Sequence, residues 1–306
     1  MRTRHVGSSG LQVSPLTLST AGWGTTVDDD MARTLAETYL GADGMTFATT
    51  AGDDQAEETL GSLLGDLVPR RDVTLVCQAG SGAVGPTGSR GSMLRDLDDT
   101  LSRLRTDHLD LWLAPGWSAT VRLEETLGAL EFAVLSGRAR YVGVSGLTGW
   151  QLARAFSLLE NLRVPLVADQ VEYSLLRRAA EATIQPAATY LGTGILAGAP
   201  LGRGVLTGKY RHTVPADSRG ASRPDHVSAY LDDDSRAVVE AVCTAADGLD
   251  LTPAEVALRW VLDRDGVASA VVGVRTPGQL RSAAQAATDA LPIQVTNALN
   301  DVSAFS

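Results

Sequence analysis

Lysine is nearly missing from this chain. Among 26 basic residues only Lys209 is a lysine, so any chemistry needing a titratable amine must use that one residue or do without. Cysteine is scarce too. Cys77 and Cys243 have no metal-type spacing and read as buried thiols of a reducing compartment. The four histidines, His5, His108, His212 and His226, make no H-x-x-x-H or H-E-x-x-H pattern, so no metal centre is expected. Long apolar runs are absent: nothing approaches the ~18 residues that a membrane helix needs. The basic first residues are followed by no apolar segment of the signal-peptide kind, and a cytoplasmic location is the default. Positive charge is also in deficit. A net charge of -10 and a pI near 4.9 repel phosphate backbones and anionic lipid, so neither nucleic acid nor membrane is an expected partner. Without long apolar faces, the chain is expected to be a monomer or a weak homodimer that binds a small molecule.

What is present is an alternation. Residues 3–16 alternate apolar and polar around Ser8-Ser9-Gly10, the pattern of a hairpin. Strand-like runs then precede helix-like runs: 16–18 before 29–40, 45–48 before 56–67, 73–77 before 92–104, and 109–113 before 123–135. The rhythm continues with 139–144 before 149–159, 166–170 before 179–190, 195–197 before 235–249 and 253–262, and 268–272 before 277–286. A further helix is expected near 293–302.

Eight such units with no break in composition predict a closed (β/α)8 TIM barrel, with an N-terminal β-hairpin and extra helices, as one domain over 1–306. An open doubly wound sheet is the competing arrangement, but no G-x-G-x-x-G turn follows the first strand. The one long irregular stretch, 202–231, carries Arg203, Lys209, Arg211, His212, Arg219 and Arg223, and loops of that length are usually functional or mobile.

In such barrels the reacting groups sit at the carboxyl ends of the strands. The stretch 44–61, GMTFATTAGDDQAEETLG, puts Thr49 and the paired acids Asp53 and Asp54 at one of those ends. Adjacent carboxylates there serve either as a general acid or base or as a helix cap. Trp23 and Trp117, in loops after strands, are expected to wall an apolar pocket. Tyr173, beside Glu172, is a candidate hydrogen-bond donor, whereas Trp150 and Trp260 lie on helices and are expected in the core.

Six phrases together resemble the aldo/keto reductase family: GSSGLQVSPL, LSRLRTDHLDLW, LEETLGALEFAVLSGRARYVGVSG, DQVEYSLLRR, PLGRGVLTGKY and VVGVRTPGQL. They occur in the family's order over nearly the whole chain. The resemblance implies a (β/α)8 barrel that reduces carbonyls with NADP(H), using an Asp, a Tyr that donates the proton, a Lys that tunes it and a His. Here those slots read Thr49, Asp54 (or Asp53), Gln78 and Pro115, so all four groups are replaced.

The cofactor slots are mixed. Of the nicotinamide contacts the resemblance implies, Gln170 survives, while Gly146 and Gly198 replace an Asn and an aromatic ring. Gly202, Gly204, Leu206 and Gly208 are expected to offer backbone N–H groups to a pyrophosphate. Gly273, Arg275 and Gln279 belong to the adenosine side, where Ser282-Ala283 replaces a Glu-Asn pair. NADP(H) is therefore expected to bind weakly or not at all. The substrate side, Trp23, Thr49, Gln78, Trp117, Gln170 and Tyr173, looks better kept. That balance predicts non-redox acid/base chemistry (dehydration, isomerisation or cyclisation) on a small metabolite, with Asp54 or Asp53 moving the proton. Two alternatives stand beside it: a silent NADP(H)- or metabolite-binding regulator, and a residual NADPH oxidoreductase whose proton comes from substrate or water.

Overall fold

The computed structural model describes residues 1–80, 88–211, 213–215, 219–222 and 224–304, so His212 and Arg223 of the long excursion lie outside the described residues. A two-residue hairpin, β1 (Arg4–His5) with β2 (Gln12–Val13), precedes the barrel. Eight parallel strands follow: β3 (Leu16–Ser19), β4 (Thr46–Thr50), β5 (Thr74–Gln78), β6 (Leu109–Leu113), β7 (Ala139–Ser145), β8 (Leu166–Glu172), β9 (Gly194–Gly198) and β10 (Val267–Val272). They close in sequence order, with β10 pairing back to β3.

Helices α1 (Asp29–Gly41), α2 (Asp54–Leu63), α3 (Arg90–Arg103), α4 (Leu123–Leu135), α5 (Gly149–Asn161) and α6 (Ala180–Leu191) return the chain between strands. Between β9 and β10 come the short α7 (Arg219–Ser222) and α8 (Asp225–Ser228), then α9 (Asp233–Leu249) and α10 (Pro253–Leu262). After β10 run α11 (Pro277–Ala286) and α12 (Ile293–Val302).

Local chemistry explains where the helices begin. Asp28 accepts from Met31 N at 2.8 Å to cap α1, whose buried Ala32, Leu35, Ala36 and Tyr39 form one apolar stripe. Thr252 and Glu255 close a capping box over Pro253 at the start of α10. Helix α2 starts two residues before the position expected from its apolar periodicity, because Asp54 and Glu57 favour the first turn, where the helix dipole is positive.

Alternate strand residues build two cores. Outward side chains such as Phe47, Cys77 and Trp112 pack with Leu35, Leu60, Leu97, Leu127 and Leu152 of the helices. Inward ones, Ala48, Val76, Leu111, Leu113, Ala168, Leu196 and Ala268, fill the barrel, and Val6, Leu11 and Val13 of the hairpin plug its amino end. The plug seats closely. Ser8 N donates to Gly192 O at 2.8 Å, and a Cβ on Gly7 (φ +56°) would fall 2.1 Å from that same oxygen. With the amino end sealed, the carboxyl end is the only open mouth that the barrel strands leave among the described residues.

Candidate functional site

Two amides meet inside that mouth. Gln170 Nε2 of β8 donates to Gln78 Oε1 of β5 at 3.2 Å. Strands β6 and β7 lie between them in the sheet, so the bond spans the barrel interior. Thr50 is registered with Gln78 and shares its inward face, while Thr49 is registered with Cys77 and shares the outward one. This corrects the expectation for Thr49: it is buried under the helices with an unpartnered hydroxyl, and Thr50 is the threonine at the mouth. Burial around Cys77 pushes its thiol well above the usual range, so it is no nucleophile.

The paired acids sit at the start of α2. Asp53 is the N-cap position of α2 and Asp54 its first residue. Asp54 forms an ion pair with Arg103 of α3 at 3.0 Å. Arg103 also bonds Glu57, at 3.0 Å, and Thr100 Oγ1 donates to Glu57 at 2.7 Å. Glu57 is fully enclosed. Burial pushes its carboxyl up, while the bonds from Thr100 and Arg103 pull it down. These residues staple α2 to α3, and Asp54 is spent on that staple.

The aromatic residues change places. Trp23 is fully enclosed among core side chains and walls no open pocket. Tyr173 is 1% exposed and donates to Glu181 at 2.8 Å, a carboxylate that Arg178 also holds; burial and that carboxylate push its phenol up. Trp260 is buried as expected, but Trp150 is 63% exposed and meets Trp117, 42% exposed, with ring centroids 5.2 Å apart. Pro115 is buried at the base of Trp117's loop.

On the opposite side of the mouth, residues 202–207 form a 3-10 turn whose Gly202, Arg203, Gly204 and the following Gly208 take positive φ. The N–H groups of Gly202, Gly204, Leu206 and Gly208 are already donated, to Ala199, Leu201, Leu201 and Val205 carbonyls. They hold the turn and do not point at a ligand, which corrects the expectation of free donors there. What the turn does present is a cation. Lys209 Nζ lies over it, 3.1 Å from where a Cβ of Gly204 would be, and no carboxylate pairs with it among the described residues. Gln279 Oε1 is taken by Arg275 N at 2.8 Å, closing the start of α11, while Gly273 faces open space.

A knot that no sequence pattern announced ties this side together. Tyr230, at the end of the excursion, donates its hydroxyl to Glu172 at the tip of β8. Arg203 Nε donates to the same hydroxyl at 3.3 Å, and the Arg177 guanidinium lies 4.4 Å from the Tyr230 ring centroid. The left-handed backbone of Arg203 (φ 55°) is the strain that this arrangement holds in place. One further buried group escaped the sequence reading. Asp169 alternates with Gln170 and so faces the helix layer, fully enclosed, with neither carboxylate oxygen closing a hydrogen bond. Burial pushes it up to about 8, and the Gly146 and Leu147 N–H groups nearby pull it down only slightly, since neither meets the carboxylate in hydrogen-bonding geometry and Gly146 N–H is donated to Gln170 O.

Residues 16–304 match the sequence profile described as the Aldo/keto reductase family. The chain is 31% identical, over 99% of its length and 96% of the relative's, to a Bacillus subtilis protein named as the uncharacterized oxidoreductase YrpG. It is 30% identical to the L-glyceraldehyde 3-phosphate reductase of Escherichia coli, over 94% of this chain and 87% of that one. It is also 30% identical to a rice protein named as a probable voltage-gated potassium channel subunit beta, over 99% and 96%. Relatives named as an oxidoreductase and a reductase overturn the expected non-redox acid/base chemistry, and Asp54, one of its two expected proton carriers, is paired with Arg103. Among the described residues, no helix is long and apolar enough to cross a membrane, and no three His, Cys, Asp or Glu side chains gather as metal ligands.

Proposed function

From the premise that this chain belongs to the aldo/keto reductase family, we propose that it is an NADP(H)-dependent oxidoreductase acting on a small carbonyl compound or the matching alcohol. The observation that carries the reading is Lys209. The only lysine of an acidic protein is held over a strained glycine turn at the barrel mouth, and no carboxylate pairs with it among the described residues. An unpaired ammonium beside a turn of small residues suits a phosphate ester. Gln170 provides a carboxamide partner at the mouth, and Arg275 and the open space at Gly273 suit the far end of a dinucleotide. Binding is expected in the micromolar range rather than tighter, because the turn's N–H groups are internally spent and Ser282-Ala283 makes fewer contacts than a Glu-Asn pair.

The bound nicotinamide supplies a hydride. At the four slots where the family keeps its proton-transfer set, the chain offers no phenol, amine or imidazole. Gln78 and Thr50 are groups at the mouth that can hydrogen-bond a carbonyl oxygen, with Gln170 fixing the orientation of Gln78. A neutral amide polarises but does not protonate, so the proton comes from water or from a hydroxyl of the substrate. Slow turnover with little dependence on side-chain ionisation follows.

The test is calorimetric titration of the purified protein with NADPH, joined to single-turnover transfer of deuterium from 4-deuterated NADPH to a panel of aldehydes that includes glyceraldehyde 3-phosphate. Micromolar binding, weakened about tenfold by Lys209→Ala, is expected. No binding at millimolar nucleotide overturns the proposal. Binding without any deuterium transfer would reduce it to a nucleotide-binding protein.

A further inference from the structure

A bond from Gly146 N–H to Gln170 O, 2.9 Å long, closes the end of the ladder between β7 and β8. It fixes the peptide from which the Gln170 side chain reaches across the barrel to Gln78. Asp169 immediately precedes Gln170. It is registered with Val144 of β7, is fully enclosed, and leaves both carboxylate oxygens without a partner. The donors beside it are the N–H groups of Gly146 and Leu147 in the turn after β7. Leu147 is buried, and its N–H meets no acceptor among the described residues. Two orphan acceptors therefore lie beside one unspent donor and one donor that is spent on Gln170.

This arrangement suits a neutral carboxyl, and burial keeps the group protonated up to about pH 8. An enclosed carboxylate needs donors, and its bonds to N–H groups are roughly twice as strong as those of a neutral carbonyl. Once its proton has left to solvent, Asp169 outcompetes Gln170 O for Gly146 N–H and takes Leu147 N–H as well. The turn has room to make that move. Gly146 is exposed, holds a φ of +67°, and has nothing within 4 Å of where its Cβ would be. No neighbouring charge takes part. The ionisable side chains of β7, α5 and α6 are Arg140, Tyr141, Arg154, Glu160, Glu181 and Tyr190, and β9 has none. Arg140 lies beside Asp110, Arg154 is bonded to Glu124, and Glu181 is held by Tyr173 and Arg178. Tyr141 packs inside the barrel, while Glu160 and Tyr190 are exposed. On β8 itself, Glu172 is held by Tyr230. None of them acts on Asp169.

We propose that Asp169 is the positioning residue of the amide pair. While neutral, it leaves Gly146 N–H on Gln170 and holds the pair across the mouth; once ionised, it draws the Gly146–Leu147 turn to itself and releases Gln170. The proposal deepens the oxidoreductase reading and rests on it for the nicotinamide that Gln170 would meet. It acts on cofactor binding, so the chemical step keeps its small dependence on ionisation.

The experiment has two arms, and neither needs turnover. Carbon-detected NMR follows the nucleotide-free, full-length protein from pH 6 to pH 10. The Asp169 carboxyl carbon, the Gln170 backbone carbonyl and the side-chain carbonyls of Gln78 and Gln170 should all move with one midpoint near pH 8. In Asp169→Asn the glutamine signals should stay flat; the wild-type titration carries this arm alone if that variant does not fold. Calorimetry then compares NADPH with 2′-phospho-ADP-ribose, which lacks the nicotinamide, at pH 6.5 and pH 9.5. In the wild type NADPH should weaken about fivefold more than the fragment, the loss of about one hydrogen bond. In Asp169→Asn the two should change in parallel. Glutamine signals that stay flat while the Asp169 carboxyl titrates overturn the proposal, as does a carboxyl that never titrates. Equal weakening of NADPH and the fragment in the wild type also overturns it. A titrating amide pair in a protein that binds no NADPH would leave the positioning role standing and sink the oxidoreductase reading.

Discussion

The two sides of the barrel mouth have fared differently. On the side of β4 to β6, the slots at which the resemblance implies proton transfer read Thr49, Asp54 (or Asp53), Gln78 and Pro115. The structure then turns two of these away from the cleft: Thr49 lies under the helices, and Asp54 is spent on Arg103. On the side of β8 and β9, the chain invests. Glu172, Tyr230, Arg203 and Arg177 lock the end of the long excursion to the tip of β8, and Lys209 stands over the glycine turn. Under the proposed function, the side where a carbonyl would react lacks the family's proton-transfer groups, while the side that would hold the nucleotide is fixed by specific contacts. Losing the one does not require losing the other, because different loops build them.

Three perturbations would break or sharpen that contrast. The largest effect is expected from Arg103→Ala. It strips the fully enclosed Glu57 of its charge partner and should cost about 3 kcal/mol in urea unfolding. Nucleotide affinity of the folded protein should stay the same; a matching loss of NADPH binding would show that the two sides are not independent.

Next is Asp169. Its carboxyl titrates near 8 when folded and near 3.9 when unfolded. As pH rises from about 4 to 8 the unfolded chain ionises first, so stability falls across that window and the loss is complete above it. Asp169→Asn removes the titration. Between about pH 5.5 and pH 7 the wild type should lose about 2 kcal/mol more than the variant, read from paired urea curves. Parallel pH profiles would mean that the carboxylate finds partners in solution.

The smallest effect is on the wired side. Tyr230→Phe keeps the ring but removes the bond to Glu172, which should weaken NADPH binding about fivefold with little change in the unfolding midpoint. An unchanged dissociation constant would detach the knot from nucleotide binding.

Much of the architecture was legible beforehand. The alternation of apolar runs predicts all eight barrel strands and the long helices between them, though not the short α7 and α8, because the periods of strand and helix are local properties of the chain. The residues at the slots that the resemblance implies, Thr49, Asp54 (or Asp53), Gln78 and Pro115, are legible as well, since they are identities at positions within motifs. Facing was not. Trp23 reads as a pocket wall and is core; Trp150 reads as core and is exposed. A loop tryptophan folds inward or outward according to what packs above it, and a tryptophan in the first turn of a helix can point past the barrel rim.

Residue order alone carried the fold class, the identities at the slots where the resemblance implies proton transfer, and the solitary lysine. All three are carried by residue identity and short-range periodicity. Tertiary structure alone decided that Asp54 serves Arg103, that Thr50 rather than Thr49 looks into the barrel, and that Trp117 finds Trp150. It also decided that Tyr230 closes on Glu172 from 58 residues away. Such pairings depend on strand register and on which loops the closed sheet makes neighbours, and neither leaves a mark in the local order of residues.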